Sequence, residues 1–446
     1  MSENFDNEAY IPFRRRQLID LCIKDGKLTP EDQRVFRRFC EILSAYFHYD
    51  LQQKLEKAKR AYMPLNPDVE AKPVRSLAFA ELSAFRKQLS EVSTDLLEDA
   101  NFIELPESDL NHALESESLV PLKTYVDFDD YEQVLAYYRG EKPATLTIKR
   151  LFRKKQIQIR NLTRVALLLA FKDKEHFESK ANLKDIEELG FVPGKTYLYL
   201  YKNVPRSDLE LLFPNVQVAM STKDRAIFAL PALGAIVPLV MKIIPSLALL
   251  AAAILVITIG TEGTQNLGFD VESSNNIYPV LAAALSVGAG LGGFAVKQYL
   301  NYKNKRLKFL KKVTDTLFFK CLVTNEGVLH TLTDATEEEV SKEVILIYYH
   351  LLTGTGAMTP DQLDEIIETW LESNFSGEVD FDIHKGLDHL RKLSAVINTG
   401  DGGAKSTPML DSDKDGMLNI VGLQDALSII DTLWDNAFPY SGQSTV

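Results

Sequence analysis

Two apolar stretches near the middle of the chain set the strongest constraint on its architecture. Ala226 to Gly260 carries a single charge, Lys242, and Ile277 to Val296 carries none. A bilayer core about 30 Å thick is crossed by about 20 apolar helical residues. The pattern therefore predicts an integral membrane protein with one transmembrane hairpin over residues 226–299 and spans at about 243–260 and 277–296. Pro231, Pro238 and Pro245 interrupt the first stretch, which places the core of its span toward the C-terminal end.

The flanking charges predict an orientation. The connecting loop, Thr261 to Asn276, holds Glu262, Asp270 and Glu272 and no Lys or Arg. Directly after the second stretch come Lys297, Lys303, Lys305, Arg306, Lys308, Lys311 and Lys312. Basic residues stay on the cytoplasmic side of a spanning segment. Both termini are thus expected on the cytoplasmic side of a bacterial inner membrane or an organelle membrane. The same seven bases are assigned to the headgroups of a bilayer with anionic lipids. Within the second stretch Ala284, Gly288 and Gly292 recur every fourth residue, a ridge that lets another helix approach closely. It reads either as packing against the first span or as a homo-oligomer contact.

The flanks read as folded protein. Residues 1–143 predict a mainly helical region, 144–225 an antiparallel β-rich region, 300–330 a basic juxtamembrane helix and connector, and 331–446 an acidic domain. Thr29, Pro30, Glu31 and Asp32 form a helix-start signal ahead of Phe36, Phe39, Leu43 and Phe47 at helical spacing, and His48 ends that stripe as a core or interface residue. DFDDYEQVLAYYRG predicts a short helix closed by Gly140. From Ala144 the period changes to two, predicting a strand to Phe152, a turn at Arg153 to Lys155 and a second strand at Gln156 to Arg160. Lys149, Arg150, Arg153, Lys154, Lys155, Arg160 and Arg164 on this hairpin read either as a solvated edge or as a contact for anions. Tyr197, Tyr199 and Tyr201 alternate with Leu198 and Leu200, a strand with one aromatic face. Lys202, Arg206, Asp208 and Glu210 read as a charged rim.

Charge is unevenly distributed. The chain has a formal net charge of −12, whereas residues 331–446 hold 21 acids against 6 bases, a local −15 that leaves +3 for the remainder. EEEVSKEVILIYYHLLTG, TPDQLDEIIETWLESNF and DFDIHKGLDHLRKLSAV predict three amphipathic helices. Short apolar runs at Val396 to Asn398 and Met417 to Val421 bracket a Gly- and Asp-rich segment, completing a winged-helix-like pattern. At that charge a nucleic-acid partner is excluded. Asp411, Asp413, Asp415 and Gly416 match the opening of a calcium loop, but the twelfth position is Gly422 in place of the bidentate Glu. A polar turn is the preferred reading.

The fold class expected is an α+β membrane protein with a mixed helical and antiparallel-β cytosolic region, a two-helix transmembrane hairpin and a winged-helix-like C-terminal domain. No catalytic constellation, cofactor motif or metal-ligand spacing emerges, so no catalytic, cofactor-binding or metal residue is assigned and an enzyme is not expected. Cys22, Cys40 and Cys321 lie far apart in sequence with no CxxC spacing. FHYD with KRAYMPLNPD, then YYRG and YKNVPRSDLELLFPN before the apolar stretches, and LFFKCLVTNEGVLHTLTDATEEEVSKEVILIYYHLL after them, resemble the transmembrane protein 143 family. That family has no known function and occurs in bacteria, plastids and mitochondria. The resemblance implies no catalytic residues. The function expected is a membrane-anchored protein-interaction or regulatory module with an unidentified protein partner. The alternative is an oligomeric transport or channel component built from the glycine-rich hairpin.

Overall fold

The computed structural model describes residues 10–11, 13–69, 78–106, 123–150, 153–180, 189–219, 321–374, 379–398 and 404–437, together with scattered helical positions between 293 and 320. Its elements in chain order are α1 (Arg15–Lys24), α2 (Pro30–Tyr62), α3 (Phe79–Asp99), β1 (Ile103–Glu104), β2 (Lys123–Tyr125), β3 (Tyr131–Arg150), β4 (Arg153–Phe171), α4 (Lys174–Lys180), β5 (Thr196–Pro205), β6 (Gln217–Ala219) and β7 (Cys321–Thr324). There follow α5 (Glu326–Thr353), α6 (Pro360–Asn374), α7 (Ile383–Lys392), β8 (Ser394–Asn398), β9 (Ala404–Pro408), β10 (Leu410–Ser412), β11 (Leu418–Ile420) and α8 (Leu423–Asp435). The chain divides into two compact units. The first comprises Met1–Ala113, Asp127–Leu209 and Phe319–Val446, the second Leu114–Val126 and Glu210–Phe318. In the second unit β2 pairs antiparallel with β6.

The first unit is built around α5. Thr29 caps α2 as its sequence predicts, its hydroxyl accepting from the Asp32 backbone N–H at 3.2 Å with Pro30 at the first helical position. This fixes the phase of a stripe in which Phe36, Phe39, Leu43 and Phe47 are buried. These side chains meet α5, where the Phe39 ring packs tilted against Tyr348 at 4.3 Å and Phe36 against Tyr349 at 5.8 Å. Helix α5 also packs against α1, α3, α6 and α7. Every residue from Glu339 to Leu351 on it is buried, and within that stretch Val344 to Tyr349 are apolar on every side of the helix. One core joins α1, the first half of α2, the second half of α5, α6, α7 and α8. A second lies between the last turns of α2, α3, the start of α5 and one face of the sheet.

The sheet is antiparallel in the order β1-β3-β4-β5-β7. Successive strand residues face opposite sides, so Leu198 and Leu200 enter the core beneath the helices while Tyr197, Tyr199 and Tyr201 stack in a row on the other side, 6.1 and 5.7 Å apart. Phe171 and Phe191 stack at 3.8 Å on the same side as Tyr197.

Several expectations are corrected. The fold is mixed α+β with an antiparallel sheet, and no helix among the described residues is long and apolar enough to cross a membrane. The expected transmembrane hairpin, and with it the integral membrane placement with cytoplasmic termini, therefore has no counterpart in the described fold; the spans 243–260 and 277–296 fall outside the described residues except for Gly293 and Val296. The most apolar described helix, α5, is covered by protein and carries Glu339, Lys342 and Glu343 within its buried stretch. The winged-helix-like domain is also corrected. Strand β8 pairs with β9, and β10 with β11, so two successive hairpins form where one wing is expected, and α5 shares its core with the N-terminal helices. The predicted helix ending at Gly140 is instead the first half of β3, held by pairing of Val134 with Leu169 and of Tyr138 with Val165. The turn expected at Arg153 to Lys155 lies inside β4, which pairs Arg150 with Arg153 and Lys149 with Lys154.

Candidate functional site

A lysine and two glutamates are buried together, with a half-buried arginine beside them, where β3, α3 and the N-terminal segment meet α5. Glu339 and Lys342 stand one helical turn apart on α5, each nearly fully buried, and Lys342 Nζ donates to Glu339 Oε1 at 2.9 Å. The same ammonium donates to the Ile11 carbonyl at 2.8 Å. Ile11 is itself buried, so this bond fastens the N-terminal segment across the helix. From β3, Arg139 donates to the Ala100 carbonyl at 2.9 Å and approaches Glu339 at 3.9 Å. The Tyr10 ring lies 4.8 Å from both the Arg139 guanidinium and the Lys342 ammonium, and Phe102 lies 4.9 Å from Arg139. Cation–ring contacts of this kind strengthen when water is excluded.

One turn further along α5, the Glu343 carboxyl accepts from Asn101 Nδ2 at 2.8 Å. Asn101 follows α3 with φ 58°, a left-handed conformation that Asn tolerates better than most residues. It is this backbone turn that aims its amide at Glu343. Burial pushes the Glu343 carboxyl up to about 8, the Asn101 bond opposing it. Burial likewise raises Glu339 and lowers Lys342, while each partner opposes the other's shift.

A cleft of about 450 Å³ opens beside this cluster, lined by Tyr10, Arg14, Arg139, Asp334, Glu338 and Lys342 among others. Its rim is braced from α1 and α2. Arg15 donates through its backbone N–H to Glu338 at 2.7 Å and through its guanidinium to Glu337 at 3.1 Å. His48 contacts the other Glu337 oxygen at 2.7 Å with its side chain 65% exposed. His48 is thus an exposed residue at the α2–α5 boundary and not a core one, because the α2 stripe turns inward at Phe47 and leaves position 48 outside.

Sequence reasoning missed this cluster. The signal for it lies in the run from Glu337 to Tyr349, where Glu339, Lys342 and Glu343 precede six consecutive apolar residues from Val344 to Tyr349. Such a helix is buried on every side, and any charge in its buried stretch then requires a partner.

The residues the sequence singles out lie elsewhere. Ala284, Gly288, Gly292, Lys305, Arg306 and Lys312 fall outside the described residues, while Lys297, Lys303, Lys308 and Lys311 occupy exposed helical positions. Asp208 and Glu210, expected on a charged rim, are buried. Arg206 pairs with Glu141 at 3.3 Å, and Glu141 also meets Arg160 at 3.6 Å. The segment from Asp411 to Gly416 is a hairpin turn. The Asp413 carboxylate accepts from the backbone N–H groups of Asp415 and Met417 at 2.9 and 2.8 Å, and Gly416 takes φ 78°.

Residues 131–327 match the model of a family described as Protein of unknown function (DUF3754). That match corrects the resemblance to the transmembrane protein 143 family, because it is the family model found on these residues. No solved structure matches the chain. The matched stretch covers β3, β4, β5 and β7, including Arg139, whereas Glu339, Lys342 and Glu343 lie beyond its end.

Proposed function

We propose that the chain is a protein-interaction or regulatory module that works without chemistry of its own. The observation supporting this reading is how the buried ionisable groups of the cleft are used. Lys342 is committed to Glu339 and the Ile11 carbonyl, Arg139 to the Ala100 carbonyl, and Glu343 to Asn101. A catalytic acid or base must reach a reacting atom; here the charged groups are turned to the protein's own carbonyls and side chains, and Lys342 holds Ile11 against α5. The accessible part of the cleft is a rim of mixed charges at Arg14, Asp334 and Glu338, a surface suited to polar recognition.

The test is site-specific photocrosslinking of the full chain in cells, with the crosslinking side chain at Arg14 or Glu338. A discrete protein adduct that is lost on Asp334→Lys is the expected result. A metabolite whose turnover tracks the purified chain and stops with Lys342→Met overturns the reading.

A further inference from the structure

We propose that the chain self-associates by seating the exposed face of α6 from one copy on the basic ridge of α2 in another. Arg34 and Arg38 stand one turn apart on the outer side of α2, both exposed, and neither forms an ion pair among the described residues. They separate two shallow grooves. One, between α1 and α2, is lined by Ile23, Pro30, Gln33, Arg37 and Glu41. The other, of about 410 Å³ between α2 and α8, is lined by Val35, Ile42 and Leu427 together with Gln424, Ser428 and Asp431. Glu41 and Asp431 are the acids facing the ridge, and Arg37 is paired with Asp20 at 2.9 Å. The surface therefore offers two exposed guanidinium groups, neither held in an ion pair among the described residues, beside an apolar slot.

Helix α6 has the complementary surface. Leu363, Ile367, Trp370 and Leu371 point into the core, which leaves Asp361, Glu365 and Glu372 exposed on the opposite side. None of these three carboxylates forms an ion pair among the described residues. Between them Ile366 is 42% exposed, the only apolar residue on that outer face. Asp361 and Glu365 are four residues apart, as are Arg34 and Arg38, so each pair spans one helical turn of about 6 Å. Laid against each other, the two helices pair both carboxylates with both arginines and direct Ile366 to the slot of Val35, Ile42 and Leu427. The charge complementarity selects this partner, since the region from Thr331 onward carries the −15 imbalance and the ridge is a basic surface facing outward. Because the two surfaces differ, a closed dimer forms only where both contacts are made at once; otherwise the association extends from copy to copy.

The experiment is sedimentation of the purified full chain over a concentration series at low and high salt. Wild type is expected to associate at low salt and to weaken at least tenfold at an ionic strength of about 0.5 M, where exposed charges are screened within a few ångströms. Arg34→Glu with Arg38→Glu, and separately Asp361→Arg with Glu365→Arg, should each weaken association by a similar factor. Combining all four substitutions in one chain should restore it, which separates a broken contact from a damaged fold. A wild-type chain that stays monomeric throughout overturns the proposal. So does association that none of these substitutions changes, the behaviour expected if copies join through the apolar stretches between 226 and 296. Failure of the four-fold variant to recover while both double variants are weakened overturns it as well.

Discussion

At the scale of single residues, two buried groups on α5 move the molecule's pH response in opposite directions. Burial moves the Glu343 carboxyl from 4.5 in the unfolded chain to about 8 in the folded one. The folded state therefore holds its proton through a range where the unfolded state has lost it, so the contribution to stability is full below about pH 4.5 and is lost as pH rises toward 8. His350 moves from 6.5 down to about 4 because burial disfavours its cation, and its contribution is present above pH 6.5 and lost as pH falls toward 4. Between about pH 4.5 and 6.5 the two slopes offset each other. Glu343→Gln should therefore be more stable than wild type at pH 9 by roughly 3 to 5 kcal/mol, with the difference shrinking toward zero at pH 5. His350→Gln should show the mirror pattern, gaining on wild type only on the acid side. Urea denaturation of each variant at pH 5, 7 and 9 measures this, and a difference for Glu343→Gln that is the same at all three values contradicts the assignment.

At the scale of elements, the junction between β7 and α5 depends on one asparagine. Asn325 sits between them with φ 51°. Its side-chain carbonyl accepts from the Tyr62 hydroxyl at 3.0 Å and from the Leu198 N–H at 3.3 Å, and its amide donates to Asp68. One side chain thus ties α2, the loop after it and β5 to the start of α5. Asn325→Ala removes these bonds at about 1 kcal/mol each and adds roughly 1 to 3 kcal/mol for an alanine held at φ 51° and ψ −130°, a total loss of roughly 4 to 6 kcal/mol in chemical denaturation. Asn325→Gly should lose less, because glycine removes the conformational part; equal losses would mean that the backbone angle contributes nothing. The sequence makes the local half of such features readable and hides the other half. Thr29 announces α2 because a cap is a contact over three residues. Tyr131 to Gly140 reads as helix because the residues that make it a strand, Leu162 to Phe171, lie some thirty positions away. Pairing of that range outweighs local preference. The same distance hides the charged cleft, since Ile11, Asn101 and Arg139 meet α5 from three separate parts of the chain.

At the scale of the whole first unit, the contacts of α2 make a statement about how the protein comes apart. Phe36, Phe39, Leu43 and Phe47 share one core with α5, α7 and α8, all of which arrive from beyond residue 326. Ile11 and Leu18 enter the same core. A chain ending at residue 330 would therefore expose that stripe to water, at about 2 kcal/mol for each large side chain, and would also remove Lys342, to which the Ile11 carbonyl is bonded. The prediction is that residues 1–330 expressed alone do not form the N-terminal helices in native packing, and that hydrogen exchange in the full chain opens α1, the first half of α2, α5 and α8 together at one free energy. If α2 kept its protection in the truncated chain, the shared core would not be what holds it, and the N-terminal helices would have to be credited with a stability of their own.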